Sequence, residues 1–345
     1  MHEDKVAFIL FVFLIISSCL CHSSPVDIWR IVLEPQNIQH VKRSRIRLRA
    51  TQDIPHLAVH IGLSDLASFI YRAGLTDTLS SKGPFTVFGP SDLAFFQLPP
   101  ESRKVLFTNN TLLKELLEYH VVKGSYFQSQ FKNEELLDSL LPGYKIRINK
   151  YKKNTVTTAS GAPLYLQDQI ATNGIIQSLT SVMIPPAGTI TYFVKTMSAF
   201  SILLKAVSVA GLADILNGAG PFTLFAPSDE AFFKLPSAEL DKLLNDPKLI
   251  KNILLYHTLK GTVYSAGLTN GETVQTISNM SINITITSQG VEVNDAMVTM
   301  PDITVTNGAV HVINAVLLPS NLNSVTNDRY LHFFDNLNNE FNIVN

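Results

Sequence analysis

Gly83, Pro84, Phe85, Asp92, Phe95, Phe96, Tyr119, His120 and Gly124 recur as Gly220, Pro221, Phe222, Asp229, Phe232, Phe233, Tyr256, His257 and Gly261, every pair 220 minus 83, or 137, positions apart. One fixed offset over so many pairs makes the chain an edited duplication, and that limits its fold more than any other feature. Further on, Thr172-Asn173-Gly174 and Pro185 recur as Thr306-Asn307-Gly308 and Pro319, now 306 minus 172, or 134, positions apart, so three residues were lost inside the second copy. Solenoid repeats of roughly 20 to 50 residues cannot bury a core alone, whereas a unit of about 130 residues can. The chain therefore reads as two domains, 53–186 and 187–320, behind a leader at 1–22 and an extension at 23–52, with a tail at 321–345.

The leader is expected to direct secretion. Val6 to Ile16 is an unbroken apolar run, followed by the small residues Ser17, Ser18, Cys19 and Cys21, the pattern of a signal peptide. The run is too short for an ordinary membrane span, and the cut is expected between Cys21 and Ser24. Cys19 and Cys21 are the only cysteines, so the mature protein is expected to lack disulfides and thiolate metal sites. The Asn-rich tail ends EFNIVN, without the apolar end of a lipid-anchor signal. Release into the extracellular space or matrix is the expectation.

A formal net charge of -1 offers no global field for nucleic acid. The one basic cluster, Lys42, Arg43, Arg45, Arg47 and Arg49, lies in the extension. It reads as a solvated linker or processing site, or as a contact for sulfated glycosaminoglycan, whose anionic oxygens suit clustered arginines.

Within each copy helical patterns come first. Phe200, Leu203, Leu204 and Val207 form an i, i+3, i+4, i+7 stripe ending at Gly211, matched by Leu63, Leu66, Ile70 and Gly74. A short strand follows, Phe85 to Phe88 or Phe222 to Phe225, stopped by Pro90 or Pro227; Ser91-Asp92 and Ser228-Asp229 then suit a helix N-cap. Behind Asp246 and Pro247, Leu249, Ile250, Ile253, Leu254 and His257 share one helix face, as do Leu112, Leu113, Leu116, Leu117 and His120. Both histidines are thus placed on a core-facing stripe. Ile146 and Ile148, or Ile282, Ile284 and Ile286, then alternate with polar residues, and Gly308 to Leu318 reads as a closing strand. Helices first and strands later predict an α+β domain.

The boxes GPFTVFGPSDLAFFQLP and GPFTLFAPSDEAFFKLP, YHVVKG and YHTLKG, and ATNGII and VTNGAVHVINAVLLP resemble the signature boxes and closing strand of fasciclin (FAS1) domains, over about residues 55 to 320. The resemblance implies helices packed on a β-wedge, twice in tandem, in a secreted matrix or cell-adhesion protein. It implies partners of two kinds: integrins or other cell-surface receptors, and matrix proteins of collagen type. Animal matrix members carry four such domains and a cysteine-rich N-terminal module; this chain shows two and no such module, which puts disulfide-linked assembly in doubt. In that family integrin contact is associated with an Asp-Ile pair before the Thr-Asn-Gly box and with the Tyr-His region. Asp302, Ile303, Tyr256 and His257 hold those positions here, whereas the first copy has Asp168 followed by Gln169, and Gln177 in place of His311. A carboxylate suits the role because it can complete the oxygen shell of a receptor-held cation. The bland alternative makes Asp302 a turn or cap residue and Ile303 core.

Ser91, Asp92 and His120, repeated as Ser228, Asp229 and His257, invite a hydrolase reading. No Gly-x-Ser-x-Gly elbow accompanies them, and helix capping with a core histidine bonded to backbone or to that aspartate is the better account. No metal-ligand spacing or glycine-rich phosphate loop is present, so no cofactor is expected. Asn109, Asn279 and Asn283 head Asn-x-Ser/Thr sequons. A secreted adhesion protein is therefore the expectation, and a carrier or regulator that binds a small apolar or glycan ligand is the competing one.

Overall fold

The computed structural model describes residues 51–319. The leader, the basic cluster and the tail lie outside the described residues. The chain divides between Ala187 and Gly188 into two compact units.

The first unit opens with α1 (Ile54–His60), α2 (Ser64–Arg72) and α3 (Thr76–Ser80), then β1 (Phe85–Pro90), α4 (Asp92–Phe96), α5 (Pro100–Thr108) and α6 (Asn110–Tyr119). Strands follow: β2 (Val121–Lys123), β3 (Glu135–Asp138), β4 (Lys145–Tyr151), β5 (Val156–Ala159), β6 (Ala162–Pro163), β7 (Gln169–Ala171) and β8 (Gly174–Leu179). The second unit repeats the order with α7 (Ile190–Thr196), α8 (Ser201–Val209), α9 (Ala213–Asn217), β9 (Phe222–Pro227), α10 (Asp229–Phe233), α11 (Ser237–Asn245) and α12 (Pro247–Tyr256). It closes with β10 (Thr258–Lys260), β11 (Thr273–Gln275), β12 (Ser281–Thr287), β13 (Gly290–Val293), β14 (Ala296–Val305) and β15 (Gly308–Ile313).

The early strand of each unit pairs in parallel with the last one, Phe85 opposite Gly174 and Phe222 opposite Gly308. This pairing closes the domain: β1 lies between β2 and β8, and β9 between β10 and β15. All six residues of β1 and of β9 are buried, as expected of strands covered on both faces. In the first unit, Val87 and Ile176 face a helical core with Leu66, Ile70, Leu113 and Leu116. Phe88 and Leu179 face a second core with Ile146, Ile148, Tyr119 and Met183. The strands of the first unit form two four-stranded sheets, and those of the second one seven-stranded sheet. Helices on one side and folded-over strands on the other make the α+β wedge.

Three local expectations change. α1 and α7 precede the stripe-bearing helix that was expected to open each copy, capped by Asp53 and Thr189 through bonds from His56 N and Tyr192 N. The early strands run through Pro90 and Pro227 instead of stopping before them. The closing strand ends at Ile313, not Leu318, because the next apolar stretch is tied to a histidine, as described below.

Candidate functional site

The closing hairpin of each domain is fastened by the asparagine of its Thr-Asn-Gly box. Asn307 accepts from Ile190 N at 3.0 Å and donates to the carbonyls of Leu216 (2.9 Å) and Gly218 (2.8 Å). Asn173 does the same with Ile54 N, Leu79 O and Ser81 O. One side chain thus ties the hairpin turn to the first helix and to the loop entering the central strand.

On the strand leading into this turn, Met300 pairs with Val312 and Ile303 with Val310, so two residues oppose one and the strand bulges at Pro301-Asp302. Asp302 has φ +63 there, as Asp168 has +57 in the first domain, a conformation that aspartate tolerates better than most residues. Its carboxylate accepts from Ser265 N at 2.6 Å and from Ser265 Oγ. Asp302 N donates to His311 Nδ1 at 3.2 Å, and His311 Nε2 lies 2.7 Å from Val263 O. Because Nδ1 accepts, Nε2 carries the proton and donates to Val263: the imidazole is neutral. Burial pushes the Asp302 carboxyl above its usual range, with His311 and the Ser265 bonds acting the other way. The Asp302 side chain is still 22% exposed, and Ile303 beside it is half-buried. The bulge therefore sets a partly open carboxylate at the surface, held from within.

Tyr256 and His257 require a correction. They are 5% and 0% exposed, so neither offers a surface to a receptor. Tyr256 Oη donates to Ser281 O and accepts from Asn294 Nδ2, both at 3.0 Å. His257 Nδ1 donates to Ile253 O at 2.7 Å and Nε2 accepts from Leu317 N at 2.9 Å. His120 repeats this with Leu116 O and Met183 N. Each histidine is a neutral strut that pins the segment after the closing strand to a helix, and burial pushes both imidazoles down to about 4.

With both ring nitrogens engaged by backbone, the histidines do not act on the box serines. Ser91 and Ser228 accept from Ala94 N and Ala231 N as helix caps. Asp92 instead accepts from Asp65 N, and Asp229 from Ser201 N, Ser201 Oγ and Ile202 N, so each aspartate caps the stripe-bearing helix. Ser, Asp and His serve three separate structural ends. Among the described residues, no group of three His, Cys, Asp or Glu could hold a metal ion, and no single helix is long and apolar enough to cross a membrane. A groove of about 590 Å³ in the first domain, lined in part by Lys82, Pro84, Phe127 and Ile170, is open to solvent.

Sequence reasoning missed Ser265 and Val263, which hold Asp302 and His311, and their counterparts Gln128 and Tyr126. Ser265 and Gln128 differ in kind, so the duplication did not mark them.

The Fasciclin domain family model matches residues 62–185 and 198–319. Transforming growth factor-beta-induced protein ig-h3 of Sus scrofa is 30% identical over 71% of this chain and 36% of its own length. Periostin of Homo sapiens is 29% identical over 77% of this chain and 32% of its own. This chain thus spans about a third of these relatives. A FAS1 domain pair from the insect cell adhesion molecule Fasciclin I is similar at 20% identity with a TM-score of 0.38, over 77% of this chain and 99% of that one.

Proposed function

The chain belongs to the fasciclin-domain family, and from that premise we propose that it is a secreted matrix or cell-adhesion protein that works by binding. The observation that carries this reading is the division of labour among its polar groups. The triad-like Ser, Asp and His are spent on capping and bracing, whereas the second domain sets the partly exposed Asp302 beside Ile303 at a surface bulge. We assign this pair to contact with an integrin-type receptor, the carboxylate completing the shell of a receptor-held divalent cation. Matrix proteins of collagen type and sulfated glycosaminoglycans are the proposed second class of partner, the latter through Lys42, Arg43, Arg45, Arg47 and Arg49.

Cells plated on the full chain in divalent cation should attach, and Asp302→Ala should lower attachment severalfold. Ser265→Ala separates contact from scaffolding, since it removes the hydroxyl half of the support, leaves the backbone N–H bond, and keeps the carboxylate. Loss with Asp302→Ala alone supports direct contact; equal loss in both assigns Asp302 to holding the bulge. Unchanged attachment in both removes the bulge from the adhesive surface.

N-glycosylation follows from secretion. Asn109, Asn279 and Asn283 are all exposed, and Asn109 caps α6 through its Oδ1, bonded from Thr111 N and Leu112 N, so the cap uses its oxygen and not its amide nitrogen. Glycosidase treatment of the protein collected from culture medium should lower its mass in up to three glycan steps, one lost with each Asn→Gln change. A mass already equal to the bare polypeptide would defeat the glycan sites, and absence of the protein from the medium would defeat the secretory reading.

A further inference from the structure

The chain enters the first domain along the edge of a sheet. β7 is the last strand in the order β2-β1-β8-β7, so among the described residues no strand pairs with its outer edge. Thr172 N points off that edge and donates to Gln52 O at 2.8 Å. By strand alternation the N–H and C=O of Ile170, two residues back, face the same way. Ile54 N then reaches Asn173 Oδ1 at 3.0 Å, so the entering segment runs in the same direction as β7. Carried backwards in that parallel register, Gln52 stands opposite Ala171, Thr51 opposite Ile170, Ala50 opposite Gln169 and Arg49 opposite Asp168. Ile170 is 52% exposed, an apolar side chain on an edge strand, where soluble domains ordinarily place charge or a cover.

We propose that the chain's own basic extension docks here, residues 46–51 adding to β7 as a parallel edge strand. The chain outside the described residues ends at Ala50, directly before Thr51 and Gln52, so the occupant arrives tethered to its place. Ile46, Leu48 and Ala50 alternate with Arg45, Arg47 and Arg49. In this register the aliphatic side chains share the face of Ala171, which is buried in the helical core, and the arginines share the face of Ile170. Arg49 opposite Asp168 adds a pair of opposite charges. No proline occurs between Val41 and Gln52, so every N–H there can join a ladder. The second domain is built against such a strand. Its Thr306 N bonds Gly188 O at 2.8 Å in the same way, but Pro186 stands two residues before Gly188, where Ala50 stands before Gln52, and Thr304 takes the place of Ile170. A proline has no N–H to give. Docked, Arg45, Arg47 and Arg49 follow one another at about 6.6 Å along one face, beside the groove that Ile170 shares with Lys82. Such a row of cations fits a linear polyanion; that consequence rests on the sulfated-glycosaminoglycan reading above, whereas the strand rests on the edge and its register.

Hydrogen exchange of the full chain, read by mass spectrometry at neutral pH, tests the strand. Amides of residues 47–51 and of Ile170 should exchange severalfold more slowly than unstructured chain. Ala50→Pro, which copies Pro186, should release peptides covering 45–51 and 168–171 and leave those covering 85–90 and 174–179 protected. Exchange of residues 47–51 at the rate of unstructured chain in the unmodified protein overturns the proposal. Should Ala50→Pro also strip protection from β1 and β8, Leu48→Asp decides, since it keeps every backbone N–H and charges only the inward face; protection of 45–51 that survives it overturns the strand. Salt elution from immobilised heparin separates the strand from the polyanion. Ala50→Pro should elute at lower salt although its charge is unchanged. Equal elution with the strand released overturns the ladder as the binding surface, and a protected strand in a chain that heparin does not retain removes the polyanion reading alone.

Discussion

A chain carrying Gly308→Ala should keep its first domain and lose the fold of its second. Gly308 faces Phe222 across the parallel β9–β15 pair, and a Cβ there would lie 1.7 Å from the Phe222 carbonyl oxygen and 2.8 Å from its nitrogen. Both are backbone atoms of a buried central strand, so neither can turn aside as a flexible side chain would. The residue also has φ +146, outside the region open to alanine. The expected cost exceeds about 4 kcal/mol, in the range reserved for broken backbone or core, and so approaches the whole stability of a small domain, about 5 to 15 kcal/mol. Gly261→Ala is the control within the same domain. It has φ +92 with nothing within 4 Å of its new Cβ, so only the conformational penalty of about 1–2 kcal/mol applies. Urea unfolding followed by circular dichroism, with exchange protection reporting each domain, should show the second domain's transition vanish for Gly308→Ala and merely shift for Gly261→Ala. Equal midpoints for the two variants would mean that the strands do not approach as closely as described.

This glycine also marks how far the sequence could be read. That Thr-Asn-Gly recurs was plain, but the reason for it was not, because the contacts run from Gly308 to Phe222 and from Asn307 to Ile190, distant in sequence and adjacent only after folding. Local periodicity did better: it placed His120 and His257 on the buried stripes of α6 and α12, where both lie at 1% exposure or less. The family association of the Tyr-His region with receptor contact suggested a surface role for Tyr256 and His257, which the structure buries, as the helical stripe had placed His257. α1 and α7 escaped notice because seven residues do not display two turns of a stripe, although Asp53 and Thr189 were available as capping signals. The bulge was legible only as a candidate turn residue. That Asp302 is held by Ser265 depends on a two-against-one register that no pattern of side-chain types announces.

The same histidines give the second large effect, a loss of stability in mild acid. Their folded-state values are pushed by burial from 6.5 down to about 4. In the unfolded chain they take up protons as pH falls through about 6.5, while in the folded domain they stay neutral until about 4. Stability from the neutral strut is therefore whole above about pH 6.5, declines below it, and is gone below about 4. The drop corresponds to about 3 kcal/mol per domain. Burial pushes the carboxyls of Asp65, Glu118 and Asp302 upward, which acts in the opposite direction, adding stability as pH falls. A decline of stability below about pH 6.5 is therefore the histidines' contribution, against which these carboxyls act. Urea midpoints measured across this limb should fall for both domains. In His257→Ala the second domain should start lower by about 2–3 kcal/mol, since Leu317 N–H is left buried without its acceptor, and then lose its slope while the first domain keeps its own. Midpoints that stay level to pH 5 in the unmodified chain would overturn this account, since a strut whose Nε2 accepts from a backbone N–H cannot take a proton there and keep that bond.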